Sequence, residues 1–200
     1  ALRKEKSKTD ALLLNILPKE TANELKAKNK VTPQHYDKVT ILFTDFKGFT
    51  KMAEILTPTK LVNEIDLCFR AFDQIIGKYK IEKIKTIGDA YMCAGGLPTK
   101  STNHAFEVVK AALDIRDFME KYKAQRKSEG KPYFEIRIGI NTGKVVAGVV
   151  GTKKYAYDIW GDAVNLASRM ESSGDVGKVN ISESTYKLVR YDFNCTHRGK

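Results

Sequence analysis

The sequence predicts an α+β fold, and three patterns carry that expectation. Val39 to Thr44 is a continuous apolar and β-branched run, as a strand buried on both faces requires. Two stretches with apolar residues at helical spacing, Pro58 to about Tyr79 and about Asn103 to Lys127, flank two short β-patterned runs, Ile81 to Thr86 and Ala90 to Ala94. Two more β runs follow, Phe134 to Asn141 and Val145 to Val150, with Thr142-Gly143 read as the connection between them. The resulting order, β-α-β-β-α-β, is that of a ferredoxin-like core with an antiparallel-rich sheet, to which the C-terminal part adds a further helix and strands.

Taken in order, Leu2 to Asn29 reads as helical, with an apolar stripe of Leu12, Leu13, Ile16 and Leu17 and a break and second helix start at Pro18-Lys19-Glu20. Residues 1–34 are assigned to a helical linker or signalling segment and 35–200 to one globular domain. The stripe serves packing or a short coiled coil that pairs two chains, but three heptads are not sustained. Asp45 ends the first strand, and Phe46-Lys47-Gly48-Phe49-Thr50 loops into a helix. Thr57-Pro58 starts the next helix, which places Leu61, Ile65, Phe69, Phe72 and Ile76 on one face. Gly88 lets the chain reverse between the hairpin runs, with Lys85 before it and Asp89 after it. Leu97-Pro98 ends the hairpin. Asp162 reads as the N-cap of a helix beginning at Ala163, which sets Asn165 and Arg169 one turn apart while Val164, Leu166, Ala167 and Met170 pack elsewhere.

Composition narrows the function. At 200 residues and 42% hydrophobic, the chain buries one real core. The three cysteines, Cys68, Cys93 and Cys195, are far apart and odd in number, so neither a disulfide framework nor a zinc site is indicated and a reducing, cytoplasmic compartment fits. The three histidines stand singly, so any metal should be held by oxygen. A net charge of +11 invites a nucleic-acid reading, yet the Lys and Arg residues are spread along helical faces without stacking aromatics, and no nucleic-acid partner is expected. The same field attracts a polyanion such as a nucleoside triphosphate. There is no apolar run of the roughly 18 residues that would cross a bilayer.

Candidate chemistry gathers at one end of the expected sheet. In the ferredoxin-like order the first and third strands are antiparallel neighbours, so Asp45 and Asp89 face each other. Two such carboxylates can hold divalent ions roughly 4 Å apart, as in two-metal phosphoryl-transfer enzymes. The N–H groups of the Gly48 loop can cradle phosphate oxygens. Asn165 can orient a sugar and Arg169 can neutralise a phosphate, although spacing alone favours an ordinary exposed polar pair.

Four motifs in order and register then carry a resemblance over nearly everything from Val39 to Lys200: Phe43-Thr44-Asp45-Phe46-Lys47-Gly48-Phe49-Thr50, Lys85-Thr86-Ile87-Gly88-Asp89-Ala90-Tyr91-Met92, Gly139-Ile140-Asn141-Thr142-Gly143, and Tyr157-Asp158-Ile159-Trp160-Gly161 through Asn165-Leu166-Ala167-Ser168-Arg169. The chain resembles the catalytic domain of a class III nucleotidyl cyclase, of the homodimeric adenylate cyclase type. The resemblance implies conversion of ATP to cyclic AMP and pyrophosphate with two Mg²⁺ or Mn²⁺ ions per site. It implies Asp45, Asp89 and the Phe46 carbonyl as metal ligands, and the Phe46, Lys47, Gly48 and Phe49 amides at the β- and γ-phosphates. Lys85 and Asp158 resemble the adenine-reading pair, where guanylate cyclases carry Glu and Cys-type residues. Asn165 resembles the ribose-orienting residue, Arg169 the transition-state stabiliser, and Lys144 an Arg that touches the triphosphate in some members. With both sets in one chain, a homodimer with two shared sites is implied, together with an upstream sensor or membrane module. A phosphate-binding Lys is expected in a strand beyond Lys200. Two rival readings are a cyclase-like dimerisation module without activity and a guanylate cyclase.

Overall fold

A computed structural model describes residues 9–151 and 153–199. The helical reading of Leu2 to Lys8 lies outside the described residues. A turn of helix from Thr9 to Leu14 is followed by the break at Pro18 and by α1 (Lys19–Lys28). Leu17, Ala22 and Leu25 are buried against one face of the sheet, so this segment is packed onto the domain that follows it.

β1 (Gln34–Lys47) runs on past Thr44 through Asp45 and Phe46. It leads through Gly48 to the short helix α2 (Phe49–Ile55) and then to α3 (Pro58–Ile76). Thr57 caps α3 by accepting from the Lys60 N–H, with Pro58 at the first helical position. The hairpin β2 (Ile81–Ile87) and β3 (Ala90–Gly95) turns at Gly88, whose φ of 60° is in the left-handed region. α4 (His104–Ser128) leads back to β4 (Glu135–Val150), after which come β5 (Ala156–Trp160), α5 (Asp162–Ser172), β6 (Val179–Ile181) and α6 (Glu183–Val189).

The strand order is β2-β3-β1-β4-β5, with β6 parallel to β4. This is the order of a ferredoxin-like core, with β1 antiparallel to both β3 and β4. Side chains alternate across β1. Leu42 and Phe46 enter the layer formed with α3 and α4, whereas Ile41 and Phe43 enter the layer that holds α1 and Ala167 of α5.

One expectation fails here. Phe134–Asn141 and Val145–Val150 are not two strands but one, because Thr142 and Gly143 pair with Thr40 and Val39 of β1. Gly143 is there for space and makes no turn: a Cβ would stand 2.7 Å from Ala163 Cβ on α5. A second expectation shifts by one residue. Gly161 is the N-cap of α5, and Asp162 lies in its first turn without a capping bond. Leu166, expected to pack, is 39% exposed on the same side of the molecule's surface as its polar neighbours Asn165 and Arg169.

Candidate active site

The antiparallel register of β1 with β3 pairs Thr44 with Tyr91, so Asp45 and Asp89 come together at one end of the sheet, as the topology predicts. Burial first, and the Asp45 charge second, push the Asp89 carboxyl above the usual carboxylate range; its own N–H and that of Phe46 oppose this. Asp45 and Asp89 are the residues that could hold a cation between them, and their hard oxygens suit Mg²⁺ or Mn²⁺. No cluster of three or more His, Cys, Asp or Glu forms a complete cage among the described residues.

Phe46 is 2% exposed, and its ring stacks on Phe134 at 4.5 Å and on Phe69 at 5.8 Å. The ring thereby pins the loop, leaving the backbone as the part of Phe46 that can meet a ligand. Lys47 is exposed, Gly48 takes φ 78°, and α2 begins at Phe49 with no side-chain cap on its first amides.

Sequence reasoning missed Arg137 and Glu171. Arg137 is opposite Asp45 in the β1–β4 register, and its Nη2 donates to Asp45 Oδ2 at 2.8 Å. Its Nε lies 2.9 Å from Glu171 Oε1, but the N–H is not aligned on it, so this is a charge contact and both buried atoms lack a formed hydrogen bond. Burial, then the Asp45 charge, push the Glu171 carboxyl up, and Arg137 opposes them. The signal that would have found Arg137 is the alternation Arg137, Gly139, Asn141, Gly143 along one face of β4.

That face seats α5. A Cβ on Gly139 would meet Glu171 N at 1.9 Å and Met170 C at 2.4 Å, so the helix lies directly on the strand. Asn165 and Arg169 project from its exposed side. Lys85 and Asp158 meet although β2 and β5 stand at opposite ends of the strand order: Lys85 Nζ donates to Asp158 Oδ2 at 2.5 Å. Asp158 Oδ1 also accepts from the Ile159 N–H at 2.8 Å. Lys144 is not brought beside Asp45. It is exposed, seven residues further along β4 than Arg137, in the wall of a cavity that also includes Trp160, Asp162 and Leu166.

A strand-end carboxylate pair, a glycine loop and a polar helix face on a ferredoxin-like sheet have the donor and acceptor chemistry that could hold a divalent cation and a phosphorylated ligand. Residues 31–200 match the family of the adenylate and guanylate cyclase catalytic domain, and the chain belongs to that family of nucleotidyl cyclases. It is 39% identical over 196 residues to an adenylate cyclase of Mycobacterium tuberculosis (strain ATCC 25618 / H37Rv), covering 98% of this chain and 43% of that protein. It is 40% identical over 201 residues to guanylate cyclase 32E of Drosophila melanogaster, covering 99% of this chain and 17% of that protein. The chain therefore spans less than half the length of these curated relatives. Among solved structures it is similar to the adenylyl cyclase CyaB from P. aeruginosa, with TM-score 0.77 and 32% identity over 82% of this chain and 85% of that one. It is likewise similar to the catalytic core of a rhodopsin-guanylyl cyclase with converted specificity in complex with ATPalphaS, with TM-score 0.74 and 34% identity over 81% of this chain and 86% of that one. No helix among the described residues is long and apolar enough to cross a membrane.

Proposed function

We propose that the chain is an adenylate cyclase domain, forming 3′,5′-cyclic AMP and pyrophosphate from ATP at sites shared between two copies. The observation that carries the choice of ATP is the Lys85–Asp158 pair. A Lys donates to adenine N1 and an ionised Asp accepts from the exocyclic amine, whereas guanine offers an N1 donor and an O6 acceptor and leaves both mismatched. With relatives of both specificities at similar identity, this pair is the feature that separates the two readings.

Asp45, Asp89 and the Phe46 carbonyl would hold Mg²⁺ or Mn²⁺, two per site, and such ions supply charge neutralisation along the triphosphate and acidity at the ribose 3′-hydroxyl. The amides of Phe46 to Phe49 face the β- and γ-phosphates. Arg137, already beside Asp45, is better placed than Lys144 to join them from the same chain. Asn165 orients the ribose for in-line attack of the 3′-oxygen on the α-phosphorus, and Arg169 meets the charge that builds on the equatorial oxygens as pyrophosphate departs.

Support for a shared site comes from what is left uncovered. Trp160, Leu166 and Ile87 are large apolar side chains, each about 40 to 50% exposed, within two residues of Asp158, Asn165 and Asp89 in the chain. A second copy across a two-fold axis would cover them and would set the carboxylates of one copy against the Lys85, Asp158, Asn165 and Arg169 of the other. The domain division at residue 34, a cytosolic location and an upstream sensor or membrane module form part of the same proposal. The test is to give purified protein Mn²⁺ and ATP and follow cyclic AMP and pyrophosphate, with GTP as competitor. ATP turnover at tenfold-excess GTP supports the reading. Formation of cyclic GMP alone assigns the guanylate reaction, and absence of both products leaves a dimerisation module.

A further inference from the structure

The first turn of the helix that carries Asn165 and Arg169 is tied to β4 by a buried amide, while Arg137 meets Glu171 and the Ser172 carbonyl at its other end. Asn141 is 2% exposed, between the two glycines on which α5 rests, Gly139 and Gly143. Its Nδ2 donates to the Ala163 carbonyl in the first turn of α5 at 2.9 Å, and its Oδ1 accepts from Ser184 Oγ at 2.9 Å. Ser184, in the first turn of α6, also lies 2.8 Å from the Thr142 carbonyl, so its single proton is shared between the two acceptors. A line of buried hydroxyls continues beneath the sheet. Thr185 meets Thr142, Thr142 meets Thr40, and Thr40 meets His104 Nδ1, at 2.9, 2.8 and 2.7 Å.

Flat glycine contacts place a helix at a height above a strand but leave it free to slide and rotate. A directional hydrogen bond removes that freedom, and inside the protein its loss leaves a buried donor or acceptor unsatisfied. We infer that Asn141 is a positioning residue of the cyclase reaction: by fixing the start of α5 along and about its axis, it aims Arg169 at the reacting phosphate. Asn141 touches no substrate in this account and acts through α5. The inference rests on the role proposed above for Arg169.

The experiment uses Asn141→Asp, which keeps the size and the acceptor for Ser184 but turns an oxygen where the donor to Ala163 stood. Steady-state kinetics and thermal melting are measured for Asn141→Asp, Arg169→Ala and the double variant. The expected result is a fall in kcat of about tenfold or more for Asn141→Asp, with the KM for ATP within about threefold, since Lys85 and Asp158 lie on other elements. In the Arg169→Ala background the same substitution should cost less than about twofold, because the group it aims is gone. Equal losses in both backgrounds, or a KM rise with kcat unchanged, would overturn the inference. If Arg169→Ala alone retains full kcat, the Arg169 reading fails first, and Asn141 is overturned with it as a residue acting through Arg169. Should Asn141→Asp not fold, Ser184→Ala takes its place, with a smaller kcat loss that again vanishes beside Arg169→Ala; a loss that persists there overturns the inference.

Discussion

Adding one methyl group at Gly139 should disable the enzyme without touching its ligand-binding side chains. A Cβ at this position would stand 1.9 Å from Glu171 N and 2.4 Å from Glu171 Cα, against 3.4–4 Å for an ordinary contact. These are backbone atoms of α5 and cannot swing aside, so the helix must retreat from β4 by about 1.5 Å. Two consequences follow in magnitude. Overpacking at such a site costs about 3 kcal/mol, which lowers the melting temperature of a domain of this size by roughly 6–12 °C. A displacement of more than 1 Å at Arg169, two residues from the contact, costs about a hundredfold in kcat. The KM for ATP should change little, because Lys85 and Asp158 stand on β2 and β5. Kinetics at saturating Mn²⁺ and a melting curve check both numbers. A variant that melts early yet turns over normally would show that the seat of α5 is irrelevant to the chemistry. One unchanged in both would show that the strand and helix are not in contact at Gly139.

Three further outcomes are expected. Arg169→Ala should lower kcat by about a hundred- to a thousandfold with a much smaller rise in KM, in keeping with about 3 to 4 kcal/mol of stabilisation felt only in the transition state; a KM effect alone would assign Arg169 to ground-state binding. Lys85→Glu combined with Asp158→Cys should move the ratio of kcat/KM from ATP towards GTP, and an ATP preference that survives the double change would remove the account of base recognition. His104 is buried, and burial first and the Lys38 charge second hold its pKa below the usual 6.5, so the folded state takes up a proton less readily than the unfolded chain. This share of stability is therefore complete above pH 6.5 and is lost as pH falls below it, at about 1.4 kcal/mol per pH unit at most. The melting temperature should therefore drop more steeply from pH 7 to 5 in the wild type than in His104→Gln; parallel curves would contradict it.

The sequence alone determined what depends on neighbours along the chain. Val39–Thr44 could be read as a buried strand, the hairpin around Gly88 as a reversal, and the two long helices from their apolar faces, because side-chain period and turn chemistry are local properties. The element order then allowed the meeting of Asp45 and Asp89 to be deduced, since a ferredoxin-like sheet leaves β1 and β3 no other arrangement. Only the tertiary structure decided the rest. Thr142-Gly143 resembles a turn until β1 supplies ladder partners and α5 requires the missing side chain. Arg137 becomes part of the acidic end through a register between residues some ninety apart, and Glu171 through the seating of α5 on Gly139. Lys85 reaches Asp158 because the sheet brings its outer strands together, and Asn141 finds Ala163 because a helix lies across its strand. Such contacts are set by how whole elements pack: alternation along β4 shows which residues share a face, but not what that face meets.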